Sequence, residues 1–276
     1  MNSSRVIRQC AVAGMFYPSD PVELQELVSS LLASVQKRKV QGKIRGVVSP
    51  HAGYVYSGST AASGFALLAG ASYKTVVVVS PSHREFFDGV SAYPGDAYNT
   101  PLGEVAVDRT MRDRLIEECD IVVASEAGHG QEHAIEVQLP FLLSTIRGFS
   151  LLPLVMGRQS GAYCRQLGEA LGSLLRDKEA LLVASSDLSH YHPANVAERL
   201  DRIVREHLQR FDAEGLMNEL EKGSTEACGG GPVVAVMVAL RLMGVDHMDV
   251  VYHCNSGDVS GDSSSVVGYL SAVAYR

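Results

Sequence analysis

Apolar and polar positions along the chain follow two patterns, one typical of buried strands and one typical of amphipathic helices. The β-branched run VVVVS at 76–80 has the composition of a strand that is covered on both faces. Segment 21–39 instead repeats its apolar residues at helical spacing, with Asp20 as its N-cap and Pro21 at its first position. From residue 46 the order is strand, helix, strand, which predicts a mostly parallel central sheet with helices on both faces.

The same two patterns continue to the C-terminus. The predicted strands are 46–49, 76–80, 120–124, 150–155, 181–186 and 265–276. The predicted helices are 21–39, 58–70, 107–118, 132–146, 160–176, 193–209, 212–221 and one that follows Gly231. Because no linker rich in Pro, Gly or Ser and no repeat interrupts them, we predict a single α/β domain over residues 1–276.

Three of the predicted strands are followed directly by polar residues that include histidine. The segments are GVVSPHAG at 46–53, VVVVSPSH at 76–83 and LLVASSDLSH at 181–190. In open α/β sheets, ligand sites lie outside the carboxyl ends of the strands. We therefore expect one shared site, formed by His51, His83, Asp187, His190 and the neighbouring His192.

Composition narrows the class of partner. The net charge is −7 with a pI near 5.7, and Lys and Arg are scattered, so the basic surface of a nucleic-acid binder is missing. The longest apolar stretch, PVVAVMVAL, is far shorter than the roughly 18 residues of a membrane span. The N-terminal residues lack the continuous apolar stretch of a signal peptide. We expect a cytoplasmic protein whose partners include neither nucleic acid nor membrane.

The cysteines do not form a disulfide pattern. They number five, with no CxxC spacing, so each is first interpreted as a small buried apolar residue. Cys228 differs because three glycines and the proline of a predicted helix follow it. A helix N-terminus favours the thiolate, the form that binds metals. Its position alone leaves two interpretations open, a reactive or metal-binding thiol and a packed, inert one.

Two further groups are candidates for the same site. Tyr54 and Tyr56 follow His51 and could orient a substrate. In GHGQEHAIEVQLP, His133 and Glu136 are predicted to share one helix face, and His133 is a candidate acid, base or ligand-orienting residue. Imidazoles suit zinc, iron, copper and nickel. The polar segment 252–266 is predicted to be a loop that caps or faces the site.

Seven motifs, spread in order over nearly the whole chain, resemble one family. They are AGMFYPSD, SPHAGYVYSG, SPSH, EHAIEVQLPFL, LLVASSDLSHYH, ACGGGP and GDSSSVVGYLSA. The family is that of Memo-like proteins, also called AmmeMemoRadiSam system protein B. It is similar in fold to class III extradiol dioxygenases, which cleave catechol rings with non-haem iron(II). The resemblance implies that His51, His83 and Cys228 bind one transition metal per chain, and that Asp187 and His190 line the same pocket.

The third metal ligand differs from that of the dioxygenases, and the family has been linked to more than one function. Class III dioxygenases use two histidines and a carboxylate, whereas Cys228 stands in the third position here, so ring cleavage does not transfer directly. Members of the family have been linked to iron or copper binding, to redox chemistry and to recognition of phosphotyrosine peptides. The resemblance also implies association with AMMECR-type and radical SAM proteins.

Two functions follow as predictions. The first is a dioxygenase-like oxidoreductase with iron(II) favoured, copper or zinc compatible, and a small-molecule substrate. Its predicted catalytic residues are His190, Asp187 and His133, and its predicted substrate-binding residues are Tyr54, Tyr56 and His192. The second is a binding module for an anionic or phosphotyrosine peptide, and a zinc hydrolase is a third alternative. The first is favoured because a phosphate site requires arginine, and only Arg84 is near in sequence.

Overall fold

The computed structural model describes residues 5–36, 38 and 40–276. The strands are β1 Ile7–Arg8, β2 Ile44–Ser49, β3 Thr75–Pro81, β4 Val90–Ala92, β5 Ala97–Thr100, β6 Gly103–Ala106, β7 Val122–Ala124, β8 Ser150–Met156, β9 Ala180–Ser185, β10 His190–His192, β11 His247–Asn255 and β12 Val266–Tyr275. The helices are α1 Pro21–Ser34, α2 Tyr54–Phe65, α3 Arg109–Glu118, α4 Leu139–Thr145, α5 Gly161–Leu175, α6 Ala194–Gln209, α7 Ala213–Lys222, α8 Gly230–Leu242 and α9 Gly257–Ser260. Among the described residues, no helix has the length and apolar composition needed to cross a bilayer.

The four central strands of the main sheet are parallel, and an antiparallel pair flanks them on each side. Its strand order is β10-β12-β2-β9-β3-β8-β4-β7, and β11 pairs with β12. Strands β2, β9, β3 and β8 are parallel neighbours, whereas β12 is antiparallel to β2 and β4 is antiparallel to β8. The predicted α/β class is confirmed, and the sheet is mixed.

Helices cover both faces of this sheet, which explains the uninterrupted apolar run of β3. Val77 and Val79 pack into a core with α3, α5 and α8. Val76 and Val78 pack on the opposite face into a core with α1, α2 and α4. Every residue of β3 is buried, so its sequence does not alternate between apolar and polar residues as that of a half-exposed strand would.

The bounds of α1 and α2 differ from the predicted ones. α1 begins at Pro21 as predicted, and the Asp20 side chain accepts hydrogen bonds from two backbone N–H groups of the first turn. It ends at Ser34, earlier than predicted, and predicted positions 37 and 39 lie outside the described residues. α2 spans Tyr54–Phe65, so it begins and ends earlier than the predicted 58–70; Gly58 lies inside it, where a Cβ would lie 2.9 Å from Leu31 Cδ1.

The predicted helix 132–146 is wrong in its first part. Residues 132–135 are not helical; a short 3-10 turn spans Glu136–Gln138, and α4 follows it. The Glu132 carboxylate accepts the backbone N–H groups of His133 at 2.9 Å and Ala134 at 3.0 Å, which holds this segment in a turn. His133 and Glu136 therefore do not share a helix face.

The predicted loop 252–266 is also wrong in its first part. Residues up to Asn255 belong to β11, which pairs antiparallel with β12 from His247 opposite Tyr275 to Asn255 opposite Gly268. Only the segment after Asn255, with α9, connects the two strands. β12 pairs with β2 along one edge only, and the backbone N–H and C=O groups of its other edge also require partners. β11 supplies them.

The short strands were not predicted. β1, β5 and β6 form a separate three-stranded sheet, and β4 lies near the edge of the main sheet. The segments AYNT and GEVA are each four residues long and contain polar side chains, so they carry no clear apolar pattern.

Candidate metal centre

Neighbouring parallel strands bring the predicted histidines together. His51 follows β2, His83 follows β3, and Asp187 follows β9, which lies between those two strands. The ring centroids of His51 and His83 are 5.0 Å apart. His133 joins them from the turn before α4, at 5.3 Å from the His51 ring and 5.0 Å from the His83 ring.

Cys228 reaches this cluster from the N-terminal end of α8. Its Sγ lies 3.1 Å from His51 Nε2, and its backbone N–H donates to the carbonyl oxygen of Asp187 at 3.3 Å. A Cβ at Gly229 would lie only 2.2 Å from the carbonyl oxygen of Ser185. Glycine at this position therefore allows the backbone to approach the end of β9 and to place the thiol beside His51.

The donor atoms of His51, His83 and Cys228 lie within 4.8 Å of one another. Bonds of about 2.0–2.3 Å from nitrogen and sulfur to a transition metal allow three such donors to surround one ion after small side-chain adjustments. The donor atoms of a second group, His83, Glu132 and His133, also lie within 4.8 Å of one another. Its Glu132 Oε1 already accepts two backbone hydrogen bonds, so the first group is the better metal site.

The tautomer of His51 follows from its hydrogen bonds. Ser185 Oγ lies 2.7 Å from the carbonyl oxygen of Ala134, which can only accept, so the serine proton is donated there. His51 Nδ1, at 2.9 Å from Ser185 Oγ, must then carry the proton and donate it. The lone pair of His51 is left on Nε2, the atom nearest to Cys228.

His83 reaches the same tautomer through a carboxylate. Its Nδ1 lies 3.0 Å from Glu132 Oε1, and its backbone N–H donates to Glu132 Oε2 at 2.6 Å. Burial by itself raises the pKa of Glu132, but the hydrogen bonds and charge of His83 outweigh it and lower this pKa to about 2. The ionised carboxylate only accepts, so His83 donates from Nδ1 and keeps its lone pair on Nε2.

Burial sets the protonation of the other two donors. It lowers the pKa of His51 to about 3, with a further contribution from His83, and so keeps the imidazole in the neutral form that binds metals. Burial and the charge of Asp187 raise the pKa of the Cys228 thiol well above its ordinary value. Burial thus outweighs the effect of the helix N-terminus on this thiol, and a bound cation is what would favour the thiolate.

Asp187 and His190 lie beside the three donors. Asp187 is buried, its Oδ1 accepts the backbone N–H of His51 at 2.8 Å, and burial raises its pKa. His190 donates from Nδ1 to the carbonyl oxygen of Leu188 at 2.8 Å, which leaves its Nε2 free to accept a proton. Both residues can therefore handle protons next to the donor cluster.

The three predicted substrate-binding residues have different surroundings. Tyr54 is buried, and its hydroxyl donates to the carbonyl oxygen of Val137 at 2.6 Å, so the structure uses it in the core and not to orient a substrate. Tyr56 is exposed. His192 Nε2 lies 3.0 Å from the carboxylate of Glu226, at the rim of a cavity.

This cavity has a volume of ≈ 450 Å³ and adjoins Cys228. Leu188, His190, Met217, Leu220, Glu221 and Glu226 are among the residues that line it. His51 and His83 are not among them. The cavity therefore approaches the donor cluster from the side of Cys228 and His190.

Several residues that support the cluster were not predicted from the sequence. Gln138 Nε2 donates to Ser185 Oγ at 2.8 Å and to the carbonyl oxygen of Pro50 at 3.0 Å. Arg8 donates to the carbonyl oxygen of Glu132 and forms a buried ion pair with Glu136. Glu132 and Gln138 occur within the quoted EHAIEVQ motif, whereas Arg8 has no local signal in the sequence.

His129 shows why a histidine of the same segment stays outside the cluster. Its Nε2 donates to the carbonyl oxygen of Ser91 at 3.1 Å, and its Nδ1 accepts the hydroxyl of Tyr98 at 2.5 Å. Both ring nitrogens are thus occupied by the protein. No lone pair remains for a ligand.

Comparisons with known proteins agree with one another. The profile of the family described as Memo-like protein matches residues 8–273. The chain is 35% identical to MEMO1 family protein MTH_45 of Methanothermobacter thermautotrophicus, over 96% of this chain and 99% of the relative. It is 37% identical to MEMO1 family protein Mbar_A1422 of Methanosarcina barkeri, over 97% and 99%.

One solved structure is similar in fold. The crystal structure of uncharacterized protein JW3007 from Escherichia coli K12 superposes with a TM-score of 0.58. The match covers 85% of this chain and 100% of that chain, at 18% sequence identity. At this identity the comparison shows the shared fold alone.

Proposed function

This chain belongs to the Memo-like protein family, and from that premise we propose that it is a metal-dependent oxidoreductase acting on a small molecule. His51, His83 and Cys228 bind one transition metal, with iron(II) favoured over copper. Asp187 and His190 handle protons beside it. The resemblance in fold to class III extradiol dioxygenases supports oxygen-dependent chemistry, with a cysteine where those enzymes have a carboxylate.

The observation that carries this proposal is the outer hydrogen bonding of both imidazoles. His51 and His83 each donate from Nδ1 to a protein acceptor, so both keep a lone pair on Nε2 close to the Cys228 thiol. Metal-binding histidines commonly have such a partner on the second ring nitrogen. Two imidazole lone pairs and a thiol within 4.8 Å of one another are the donor set of a soft or borderline transition metal.

The metal would supply open coordination positions and a change of oxidation state, and the chain's own residues supply the rest. His190 Nε2 accepts a proton from a substrate that enters through the adjoining cavity. Asp187 lies close to His51, with its Oδ2 3.9 Å from His51 Nε2, and burial raises the pKa of its carboxyl group toward the range in which it can exchange a proton. Its Oδ1 also fixes the backbone of His51, so its role is positional as well.

The alternative function, recognition of an anionic or phosphotyrosine peptide, fits the described residues less well. Gly230 and Gly231, at the start of α8, already donate their N–H groups to protein oxygens. Glu132 is ionised beside His83, and no Lys or Arg lines the cavity beside Cys228. A phosphate group would therefore meet negative charge without a basic partner.

The first experiment measures metal content after purification without oxygen or chelator. We expect one iron per chain, and loss of most of it in His51→Ala, His83→Ala and Cys228→Ser. Cys254→Ser is the matched control, since that partly buried thiol bonds to Thr60 outside the cluster. Full metal content in all three ligand variants would show that the site is wrong, and stoichiometric zinc without iron would favour hydrolysis.

A second experiment separates catalysis from recognition. The iron(II) form should consume dioxygen with members of a panel of phenols and thiols, and Cys228→Ser should abolish this uptake while the fold stays intact. Cys254→Ser should retain it. Metal-independent binding of a phosphotyrosine peptide that survives Cys228→Ser, without any oxygen uptake, would favour the recognition function.

A further inference from the structure

The cavity beside Cys228 has a mainly apolar floor. Leu188, Met217, Leu220 and Ala227 contribute to its lining, in a volume of ≈ 450 Å³. This volume lies in the range of pockets that hold small molecules. An apolar body of several carbon atoms would gain free energy by leaving water here.

The charges around this floor have one sign. Glu221 and Glu226 line the cavity, and none of its lining residues is Lys or Arg. The Glu226 side chain is 48% exposed and contacts His192, and one oxygen of Glu221 accepts the backbone N–H of Gly161 at 3.2 Å. Glu221 thus keeps its second oxygen for a further donor, whereas the two oxygens of Glu226 lie 3.1 and 3.0 Å from the same His192 Nε2 and keep lone pairs beyond that contact.

The backbone N–H groups beside the cavity, at the N-terminus of α8, already donate to protein acceptors. The N–H of Gly229 donates to Ser186 Oγ at 3.0 Å, that of Gly230 to the carbonyl oxygen of Ala227 at 3.0 Å, and that of Gly231 to Gln159 Oε1 at 2.8 Å. These three N–H groups are therefore not available to donate to a ligand. A ligand carboxylate or phosphate would lose its hydrogen bonds to water here without gaining hydrogen bonds from these groups, which costs free energy.

We infer that this cavity binds a small molecule with an apolar body and a positively charged nitrogen, that is, an alkyl or aryl amine. The ammonium group lies between Glu221 and Glu226 at the rim. The apolar body lies against Leu220 and Met217 and extends toward Cys228 and His190. The inference names the substrate class for the proposed oxidoreductase, and in that respect it rests on the proposed function.

The test uses three probes of equal length: hexylamine, hexan-1-ol and hexanoate. Each is titrated into the full chain, with its metal as purified and again after chelation, and the ¹³C-methyl signals of methionine are followed by NMR. We expect the Met217 signal to respond, with hexylamine binding tightest and hexanoate weakest. Met111 of α3, which does not line the cavity, is the internal control.

Charge-neutral variants identify the recognising groups. Glu221→Gln and Glu226→Gln should each weaken hexylamine binding about two- to fivefold, as expected for partly exposed ion pairs, and leave hexan-1-ol binding unchanged. Glu179→Gln, a glutamate 53% exposed that does not line the cavity, should change neither. Hexanoate binding as tight as hexylamine, insensitivity to both substitutions, or no response of Met217 would each overturn the inference.

The two proposals fail in different ways. Amine-selective binding in a chain that takes up no metal would keep the cavity inference and reject the oxidoreductase. Metal uptake through the three ligands, together with preference for hexanoate, would keep the metal centre and reject the amine.

Discussion

The loops after β2 and β3 each present an imidazole to the same centre but hold it differently. His51 is 2% exposed and donates to the neutral hydroxyl of Ser185. The His83 side chain is 29% exposed and donates to the ionised carboxylate of Glu132. One imidazole is thus fixed by burial, and the other is fixed by charge.

This difference gives the two histidines different roles in metal binding. A buried imidazole with a neutral partner is rigid, and its low pKa keeps the lone pair available over a wide pH range. An imidazole that donates to a carboxylate becomes a more basic ligand and carries negative charge close to the bound cation. We therefore expect His83 and Glu132 to set the affinity of the metal, and His51 and Ser185 to set its position.

Glu132→Gln should have the largest effect among the residues that hold the two ligands. The amide preserves the shape of the side chain but removes the charge, so metal affinity should fall about 10- to 100-fold. Competition with a chelator of known affinity measures it. Glu126→Gln, an exposed glutamate of the same segment, should leave the affinity unchanged.

Ser185→Ala should have a smaller effect on metal affinity, about tenfold at most, because His51 stays packed among buried residues after the loss of its acceptor. The same chelator competition measures it. A larger loss for Ser185→Ala than for Glu132→Gln would reverse the assignment of affinity to the charged side of the centre.

His190→Ala should change metal affinity least, because its ring is held by the carbonyl oxygen of Leu188 and it is not one of the three donors. Oxygen uptake or substrate binding should nevertheless be lost, since the free Nε2 is removed. Metal analysis and oxygen uptake on one preparation test both statements. His247→Ala, an exposed histidine, serves as control, and complete loss of metal from His190→Ala would make His190 a ligand.

His129 supplies a reference imidazole that is buried without a free lone pair. Burial lowers its pKa to about 4, below the ordinary 6.5, so the unfolded state binds a proton that the folded state does not. The free energy of unfolding should therefore decrease through this group as pH falls from 6.5 toward 4.

His129→Gln should flatten that pH dependence by at most about 1.4 kcal/mol per pH unit, besides lowering stability overall. Urea unfolding at several pH values measures it, with His247→Gln as the exposed control. An unchanged slope would show that His129 keeps an ordinary pKa in the folded protein.

The sequence was sufficient for the strands that carry the centre but not for the residues that hold it. The run VVVVS and the Ser-Pro breaks predict His51 and His83 at strand ends, because apolar continuity and strand termination are local properties. The hydrogen bond from His51 to Ser185 joins residues 134 positions apart, and the ion pair of Arg8 with Glu136 spans 128. Such partners depend on which elements become neighbours, which a local pattern does not record.

The separation of His51 from Cys228 along the chain, 177 residues, has a consequence for how the protein folds. The thiol reaches the imidazole only after α8 has docked on the sheet and Gly229 has closed against β9. An unfolded or partly synthesised chain therefore lacks the complete donor set, and metal should bind the folded state selectively. Each tenfold excess of free metal over its dissociation constant would then add about 1.4 kcal/mol to the free energy of unfolding. Metal supply during growth would thus set how long the chain survives proteolysis, independently of any turnover.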